Sequence, residues 1–199
     1  MYLAVAGNIG SGKTSLTALL AEALGLRAVY EAVSENPYLE DFYRDMDRYA
    51  FHSQIFFLAH RLRQHQKEVG GGRVVQDRTV HEDALVFAQH LHRLGHLSER
   101  DWRTYLELYR SVAQTLRPPD LLIYIRASLP TLKHRIAKRG RPFEKALPEA
   151  YLQGLNALYE EFVASWRLSP VYVVEGDHLD FVEDQAARSR ILDEIRRRL

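Results

Sequence analysis

Short apolar runs along the chain alternate with longer segments in which apolar residues recur at helical spacing. The runs predict five buried β-strands, at 2–6, 27–31, 73–77, 121–125 and 171–175. The segments between them predict helices over 13–24, 37–69 with a break near 46, 80–94, 98–116, 128–139, 148–167 and 180–198. Because parallel strands need long crossover connections, this alternation predicts one parallel sheet with helices on both faces.

The composition is typical of one globular domain. Of 199 residues, 46% are hydrophobic and 27% are charged. No repeat, low-complexity tract or linker interrupts the pattern, so we expect a single domain spanning 1–199. The chain contains no cysteine, which excludes disulfides, thiolate metal sites and a cysteine nucleophile.

The charge balance and the length of the apolar runs give no indication of nucleic-acid or membrane partners. Lys plus Arg number 27 and Asp plus Glu 26, so the net charge gives no sign of binding to nucleic acid or to a membrane surface. No apolar run approaches the roughly 18 residues of a membrane span. The first residues lack the basic stretch of a signal peptide, and we therefore expect a cytoplasmic location.

The eight residues that follow the first predicted strand, and run into the first predicted helix, match G-x-x-x-x-G-K-[ST], a phosphate-binding loop or P-loop. Its glycines let successive backbone N–H groups face one phosphate, and the following helix directs its positive N-terminus at the same anion. The lysine can bridge the β- and γ-phosphates, and the hydroxyl after it can hold Mg²⁺. The predicted phosphate site consists of Gly7, Asn8, Ile9, Gly10, Ser11, Gly12, Lys13 and Thr14.

The nucleotide expected in this loop is ATP. No lysine is followed two places later by aspartate, so the guanine-reading sequence N/T-K-x-D is absent.

With the P-loop in place, the predicted architecture is the α/β fold of P-loop NTPases. It has three layers, α/β/α, around a five-stranded parallel sheet.

Charged residues follow two of the predicted strands. Glu31 ends the second strand, and Asp77 and Arg78 end the third. The carboxyl ends of parallel strands form the binding crevice, where Glu31 could accept a proton, Asp77 could serve magnesium and Arg78 could stabilise charge on a phosphoryl group. Any one of them alone is better explained as a cap or an ion-pair partner, but two charged strand ends beside a P-loop favour function.

The long helix over 37–69 carries Gln54 and Arg61 seven residues apart, which places both on one face about 10.5 Å apart along the axis. Phe57 lies between them on roughly the same face and could stack on a flat ring. The three residues could contact a nucleoside. Taken alone, the pattern is better explained by a core phenylalanine with a solvated polar pair.

A basic segment follows the helix over 128–139. Arg135 and Arg139 are one turn apart, and Arg141 lies in the charged, glycine-containing loop at about 139–147. This arrangement suits a lid that closes arginines over transferring phosphates. It suits equally a solvated basic turn at the end of a helix.

Three histidines recur on the helix over 80–94 and just beyond it, at 90, 92 and 96. Gly95 interrupts their spacing, and no acidic ligand accompanies them. The pattern therefore favours a solvated helix face over a metal site.

Together these features resemble the deoxyribonucleoside kinases, a family that includes deoxycytidine, deoxyguanosine and bacterial deoxyadenosine kinases. The resemblance covers nearly the whole chain and rests on the order and spacing of its motifs. The motifs are GNIGSGKT at 7–14, YEAVSENP at 30–37, Tyr43 with Gln54 eleven residues later, Gln54-xx-Phe57-xxx-Arg61, Asp77-Arg78-Thr79 followed by Asp83, Pro119-Asp120, and RIAKRGR at 135–141 with Glu144.

The resemblance implies transfer of a phosphoryl group from ATP to a deoxynucleoside 5′-hydroxyl, with Mg²⁺, in deoxynucleotide salvage. It implies that Glu31 is the general base, that Arg78 steadies the hydroxyl and the incoming phosphoryl group, and that Asp77 serves magnesium. The remaining implied roles are the sugar 3′-hydroxyl for Tyr43 and Glu144, the base for Gln54, Arg61 and Asp83 with Phe57 nearby, and the lid for Arg135, Arg139 and Arg141.

The preferred nucleobase of the substrate follows less directly from the resemblance. In this family an Arg–Asp pair like Arg61 and Asp83 accompanies deoxycytidine and purine substrates rather than thymidine. Arginine can donate to purine N7 and a carboxylate can accept from an exocyclic amine, whereas guanine O6 would need a donor. We expect purine deoxynucleosides, deoxyadenosine first, with deoxycytidine open. The resemblance also implies a homodimer formed through helices at about 37–69 and 80–116.

Two alternatives share most of these features. A nucleoside monophosphate kinase such as thymidylate kinase has the same fold and a strand-three acid–arginine pair. It needs extra cations for the acceptor phosphate, however, and no base at Glu31. A noncatalytic ATP-binding module would need none of Glu31, Asp77 and Arg78.

Overall fold

Five parallel strands form one sheet in the computed structural model, which describes residues 1–31, 35–144, 147–178, 181 and 184–199. Their order across the sheet is β2-β3-β1-β4-β5, and every neighbouring pair is parallel. The predicted parallel sheet is confirmed. The strands are β1 (Tyr2–Gly7), β2 (Arg27–Val29), β3 (Val74–Asp77), β4 (Leu121–Arg126) and β5 (Val171–Glu175).

Helices connect the strands and cover both faces of the sheet. They are α1 (Lys13–Leu24), α2 (Leu39–Arg44), α3 (Met46–Gln64), α4 (Val80–Glu82), α5 (Gln89–Arg93), α6 (Glu99–Ala113), α7 (Leu129–Arg139), α8 (Glu149–Ser165) and α9 (Gln185–Arg196). A π-helical stretch, His65–Val69, continues α3, and a second, Asp83–Ala88, joins α4 to α5. A 3₁₀ turn spans Pro142–Glu144.

The predicted elements match these bounds closely, except at the second strand and at the last helix, which begins at Gln185 instead of at 180. β2 ends at Val29, so Glu31 lies two residues beyond the strand rather than at its last position. Parts of three predictions lie outside the described residues: 32–34 of the YEAVSENP motif, 145–146 of the lid segment, and 180 and 182–183 at the start of the last helix.

The sheet is buried on both faces, because successive strand side chains point in opposite directions. In β1, Tyr2 and Ala4 belong to the core covered by α3, α6 and α8, whereas Leu3 and Val5 belong to the core covered by α1 and α9. Full burial of one large apolar side chain contributes about 1.5–3 kcal/mol. The two cores therefore fix the three-layer arrangement predicted for the fold.

Local chemistry sets where the helices begin and end. Gly25, with φ of 60°, ends α1 in the left-handed conformation that glycine adopts without steric cost. Asp45 separates α2 from α3, and its carboxylate accepts a hydrogen bond from the Arg48 backbone N–H at 3.2 Å. This N-cap produces the break that the sequence predicts near 46.

The strand order brings the polar ends of three strands together. β1 is central, with Val5 in register with Asp77 of β3 and Gly7 in register with Ile125 of β4. The loop after β1 and the residues after β2 and β3 therefore meet at one edge of the sheet. Within the described ranges, no helix is long and apolar enough to cross a membrane.

Candidate active site

A cavity that is partly open to solvent lies at this carboxyl edge. Residues from the P-loop, from the ends of β2 and β3, from α2 and α3, and from the segment after α7 line it. Most of the residues predicted from sequence are among them: Ile9, Gly10, Lys13, Thr14, Glu31, Tyr43, Gln54, Phe57, Asp77, Arg78, Asp83, Arg139, Arg141 and Glu144. Of the described residues, the predicted Gly7, Asn8, Ser11, Gly12, Arg61 and Arg135 do not line it.

The P-loop packs tightly against α7. Gly10 has φ of 81°, and a Cβ at this position would lie 2.8 Å from Cγ1 of Ile136 and 2.9 Å from the carbonyl oxygen of Leu132. A larger residue would need both an unfavourable backbone conformation and a displaced helix. The loop conformation thus depends on glycine at this position.

Asn8 fixes the P-loop to α8. Its side-chain amide donates to the carbonyl oxygen of Leu152 at 2.9 Å and to Oδ1 of Asn156 at 2.6 Å, and its Oδ1 accepts from the Ile9 backbone N–H. Asn156 in turn donates to the carbonyl oxygen of Ala127. Asn8 therefore supports the loop from behind instead of facing the cavity.

Lys13 is buried and lacks a carboxylate partner in direct contact among the described residues. Its Nζ donates to the carbonyl oxygen of Asn8 at 2.9 Å. Burial lowers the pKa of Lys13 and the Arg78 guanidinium lowers it further, while Asp77 and Glu31 raise it, which leaves the pKa at about 8. A bound phosphate would supply the missing negative charge.

Thr14 and Asp77 present hard oxygen donors beside the P-loop. The Thr14 hydroxyl donates to Oδ2 of Asp77 at 2.7 Å, and Oδ1 of Asp77 is buried without a hydrogen-bond partner among the described residues. Hydroxyl and carboxylate oxygens are ligands that Mg²⁺ uses alongside substrate phosphates. The two side chains therefore fit a magnesium ion.

Glu31 is held between two arginines. Its Oε1 accepts from Nη2 of Arg61 at 2.9 Å and lies 3.3 Å from Nη1 of Arg78. Burial raises the pKa of this carboxyl, but the guanidinium groups of Arg78 and Arg61 and the ammonium of Lys13 outweigh it. They hold the pKa well below its ordinary value, and Glu31 is therefore ionised.

Arg78 adopts a left-handed backbone conformation, with φ of 69°, which costs a non-glycine residue about 1–2 kcal/mol. Its backbone N–H donates to the carbonyl oxygen of Val5 at 3.0 Å, and its guanidinium carbon lies 4.2 Å from the centre of the Phe87 ring. The contacts on both sides of the residue fix its side chain in the cavity wall.

Glu82 holds this turn in place, and the sequence reasoning missed it. One of its carboxylate oxygens accepts from the Thr79 backbone N–H at 2.8 Å, and the other accepts from the Tyr159 hydroxyl at 3.0 Å and from the Gly7 N–H at 3.4 Å. Thr79 and Glu82 form a capping box, S/T-x-x-E, whose spacing was present in the sequence. Glu82 thus joins the turn after β3 to the start of the P-loop.

An amide, a carboxylate and aromatic rings line another part of the cavity. Gln54 is buried, and its Oε1 has no hydrogen-bond partner among the described residues. Asp83 accepts from Nε of Arg61 at 2.8 Å and from Nη2 of Arg61 at 3.2 Å. Burial raises the pKa of Asp83, although the Arg61 contact opposes this. Phe57 and Phe87 line the same space and offer flat surfaces to a ring.

The cavity wall also contains Tyr43, Tyr151, Glu144 and two of the predicted lid arginines. Glu144 is buried and accepts from Nε of Arg139 at 3.1 Å and from Nη2 of Arg139 at 2.7 Å, with Nη1 of Arg141 at 3.5 Å. Tyr151 was missed by the sequence reasoning, because a tyrosine at helical spacing on α8 looks like an ordinary core residue.

Arg135 differs from the other two lid arginines. Its Nη1 donates to the carbonyl oxygen of Ser11 and its Nη2 to that of Gly176, both at 2.7 Å. It therefore joins the P-loop to the segment after β5 and does not face the cavity.

Comparison with known proteins adds to this geometry. The family model described as deoxynucleoside kinase matches residues 3–199. A deoxyadenosine/deoxycytidine kinase of Bacillus subtilis is 36% identical over 97% of this chain and 90% of its own length. A deoxyadenosine kinase of Lactobacillus acidophilus is 37% identical over 99% of this chain and 95% of its own length. The solved structure of deoxyadenosine kinase from M. mycoides with bound dATP superposes with a TM-score of 0.88 at 32% identity, covering 98% of this chain and all of that one.

Proposed function

Because this chain belongs to the deoxynucleoside kinase family and is an enzyme that phosphorylates deoxynucleosides with ATP, we propose that the cavity at the carboxyl edge of the sheet is its active site. The observation that carries the proposal is the set of groups gathered on this one cavity. Lys13 and Thr14 of the P-loop, the ionised Glu31, and the buried Gln54 and Asp83 all line it. A triphosphate and a nucleoside bound there would meet beside Glu31.

The reaction is transfer of the γ-phosphoryl group to the 5′-hydroxyl. The O5′–Pγ bond forms as the bond between Pγ and the oxygen of the departing ADP breaks, and the hydroxyl proton passes to Glu31. In a loose phosphoryl-transfer transition state the base chiefly orients the hydroxyl, which an ionised carboxylate of low pKa can do. Arg78, beside Glu31, stabilises the negative charge of the transferring group.

Lys13 binds the β- and γ-phosphates, and the glycine-rich loop supplies N–H donors to them. Thr14 and Asp77 hold Mg²⁺, which, when bound, neutralises charge on the phosphates. Tyr43 and Glu144 hold the sugar 3′-hydroxyl. Arg139 and Arg141 belong to the lid that covers the phosphates, and Arg135 supports the P-loop through the carbonyl of Ser11.

We propose deoxyadenosine as the preferred nucleoside and deoxycytidine as the second. Gln54 presents a buried Oε1 without a partner among the described residues, and Asp83 is a fixed acceptor. Two acceptors suit the exocyclic amine of adenine or cytosine, whereas guanine and thymine present a carbonyl oxygen there. The relatives include a deoxyadenosine/deoxycytidine kinase and also deoxyguanosine kinases of similar identity, so this preference rests on the two side chains.

The test is a transfer assay with γ-labelled ATP over the four deoxynucleosides and dTMP. We expect labelled deoxyadenosine monophosphate as the main product, with deoxycytidine next. A label found on dTMP alone would favour the monophosphate kinase alternative. ATP binding without turnover of any acceptor would favour a noncatalytic module.

We further propose that the enzyme is a single-domain homodimer in the cytoplasm. The helices expected at the interface include α3 and α6, and α6 exposes Leu108 on its outer side. Light scattering after gel filtration would measure the mass, and a value near 23.1 kDa, that of one chain, would contradict the dimer.

A further inference from the structure

Arg61 is buried behind the cavity and contacts two acidic residues that line it. Only 3% of its side chain is exposed, and it is absent from the described residues that line the cavity. Its Nη2 donates both to Glu31 at 2.9 Å and to Asp83 at 3.2 Å. One guanidinium thus links the residue proposed as general base to a residue proposed to read the nucleobase.

Most of the donors of Arg61 are committed to protein acceptors. Nε donates to Asp83 at 2.8 Å, and Nη1 donates at 3.5 Å to the carbonyl oxygen of Asp77. With the two bonds from Nη2, four of the five N–H groups of the guanidinium have protein acceptors. The fork geometry of the guanidinium suits simultaneous contact with two carboxylates, which lysine cannot reproduce.

The contact with Glu31 matters because the other charged groups around Glu31 do not fix it in the same way. Arg78 approaches Glu31 from the turn after β3, at 3.3 Å. Lys13 from α1 acts on Glu31 over a longer distance. Burial and, in addition, the negative charge of Glu31 raise the pKa of Tyr43 from α2, Asp83 from the second π-helical stretch and Tyr159 from α8, and the two tyrosines are uncharged. The contact of Arg61 with Glu31, at 2.9 Å, is shorter than that of Arg78.

We infer that Arg61 is a positioning residue that holds Glu31 for the 5′-hydroxyl as well as Asp83 for the base. This inference rests on the proposed function of the cavity. It adds a link to the general base to the role implied by sequence resemblance, in which Arg61 serves the base. It also means that the base subsite and the transfer centre share one buried cation.

A double-mutant cycle tests the inference in the full-length protein with ATP and deoxyadenosine. Arg61→Gln should lower kcat by about 10²-fold, since a misplaced catalytic group costs about this much. In the Glu31→Gln background, where no carboxylate remains to be held, the same substitution should change kcat by no more than about twofold. Equal losses of kcat in both backgrounds, or a rise in KM alone, would overturn the inference.

Gln54→Leu provides the matched control, because Gln54 lies on the same helix and lines the cavity, whereas the described side-chain partners of Glu31 are Arg61 and Arg78. Its effect on kcat should multiply with that of Glu31→Gln.

A pH profile of kcat gives a second readout. Without the guanidinium the acid limb of kcat should move to higher pH in Arg61→Gln, and it should not do so in Asp83→Asn, which keeps the Arg61–Glu31 bond.

Arg61→Lys replaces Arg61→Gln in the same cycle if circular dichroism shows that Arg61→Gln does not fold. Lysine keeps the charge but cannot bridge both carboxylates, so the expected outcomes are unchanged. A wild-type protein inert toward all deoxynucleosides would contradict the proposed function. An active wild type with an additive cycle would contradict only the role of Arg61.

Discussion

The hydroxyl of Thr14 donates to the carboxylate of Asp77 at 2.7 Å and so joins the first turn of α1 to the end of β3. The other carboxylate oxygen of Asp77 is buried without a described partner. A hydroxyl and a carboxylate brought together beside a P-loop form one surface that a divalent cation can use. The relationship leads directly to the first prediction.

Asp77→Asn should weaken magnesium binding while leaving the P-loop intact. The amide keeps the size of the side chain and can still accept from Thr14, but it removes the negative charge. We expect the Mg²⁺ concentration for half-maximal activity to rise by at least about tenfold. Titration of activity with MgCl₂ at saturating ATP measures this. An unchanged midpoint in Asp77→Asn would exclude Asp77 from the metal site.

Glu31→Gln should lower kcat by about 10²–10⁴-fold, because the amide cannot accept the hydroxyl proton. Calorimetric titration should show ATP binding within a few-fold of wild type, since Glu31 does not belong to the P-loop. The substitution preserves the size of the side chain and its contact with Arg61. If kcat stays near the wild-type value, the general base is another group.

His81 should make the folded state less stable below neutral pH. Burial lowers its pKa, and His65 lowers it further, to about 4, and its Nδ1 lies 2.8 Å from the Tyr109 hydroxyl. The unfolded chain binds this proton near its ordinary pKa of about 6.5. The contribution is therefore fully present above that value and is lost as pH falls toward 4, by up to about 3 kcal/mol.

Urea unfolding at pH 7 and pH 5 would measure this loss. His81→Gln keeps a hydrogen-bonding group and does not titrate, so its free energy of unfolding should fall less between the two pH values than that of wild type. His65 and His90 also have lowered pKa values and account for part of the remaining dependence. Parallel pH curves for the two proteins would show that His81 is not responsible.

Gly154→Ala should destabilise the fold through a single clash. A Cβ at Gly154 of α8 would overlap the imidazole of the buried His90 on α5. Overpacking of this kind costs about 1–3 kcal/mol. Because the clash is specific to the ring, the double variant with His90→Ala should be less destabilised than the sum of the single variants. Thermal unfolding of the four proteins measures the coupling, and simple additivity would contradict the clash.

Much of the molecule could be predicted because the relevant signals are local. The P-loop is contiguous, α1 ends at Leu24 as expected for the helix over 13–24, and the break near 46 follows from the Asp45 cap. Glu31, Asp77 and Arg78 were expected at one edge of the sheet because parallel strands align their carboxyl ends, and all three line one cavity. Their chemical roles stay predictions.

The missed features depend on contacts between distant segments. Nothing in the sequence indicates the π-helical stretch Asp83–Ala88, where Asp83 and Phe87 both line the cavity. The sequence places Arg61 on one helix face with Gln54, but it does not indicate that the Arg61 fork joins the carboxylates of Asp83 and Glu31. The solvated face expected for the histidines is wrong for His90, since Gly154 leaves room for its ring only once α8 has packed.

The left-handed conformation of Arg78, directly after β3, changes which side chains at the end of this strand line the cavity. Neighbouring side chains of an extended chain diverge to opposite sides, so a strand normally sends every second residue to a given layer. The reversal at Arg78 breaks that alternation, and Asp77 and Arg78, an anion and a cation adjacent in sequence, both line the same cavity. β-Branched replacements at this position would therefore disturb the acid as well as the arginine, because the bend itself sets both directions.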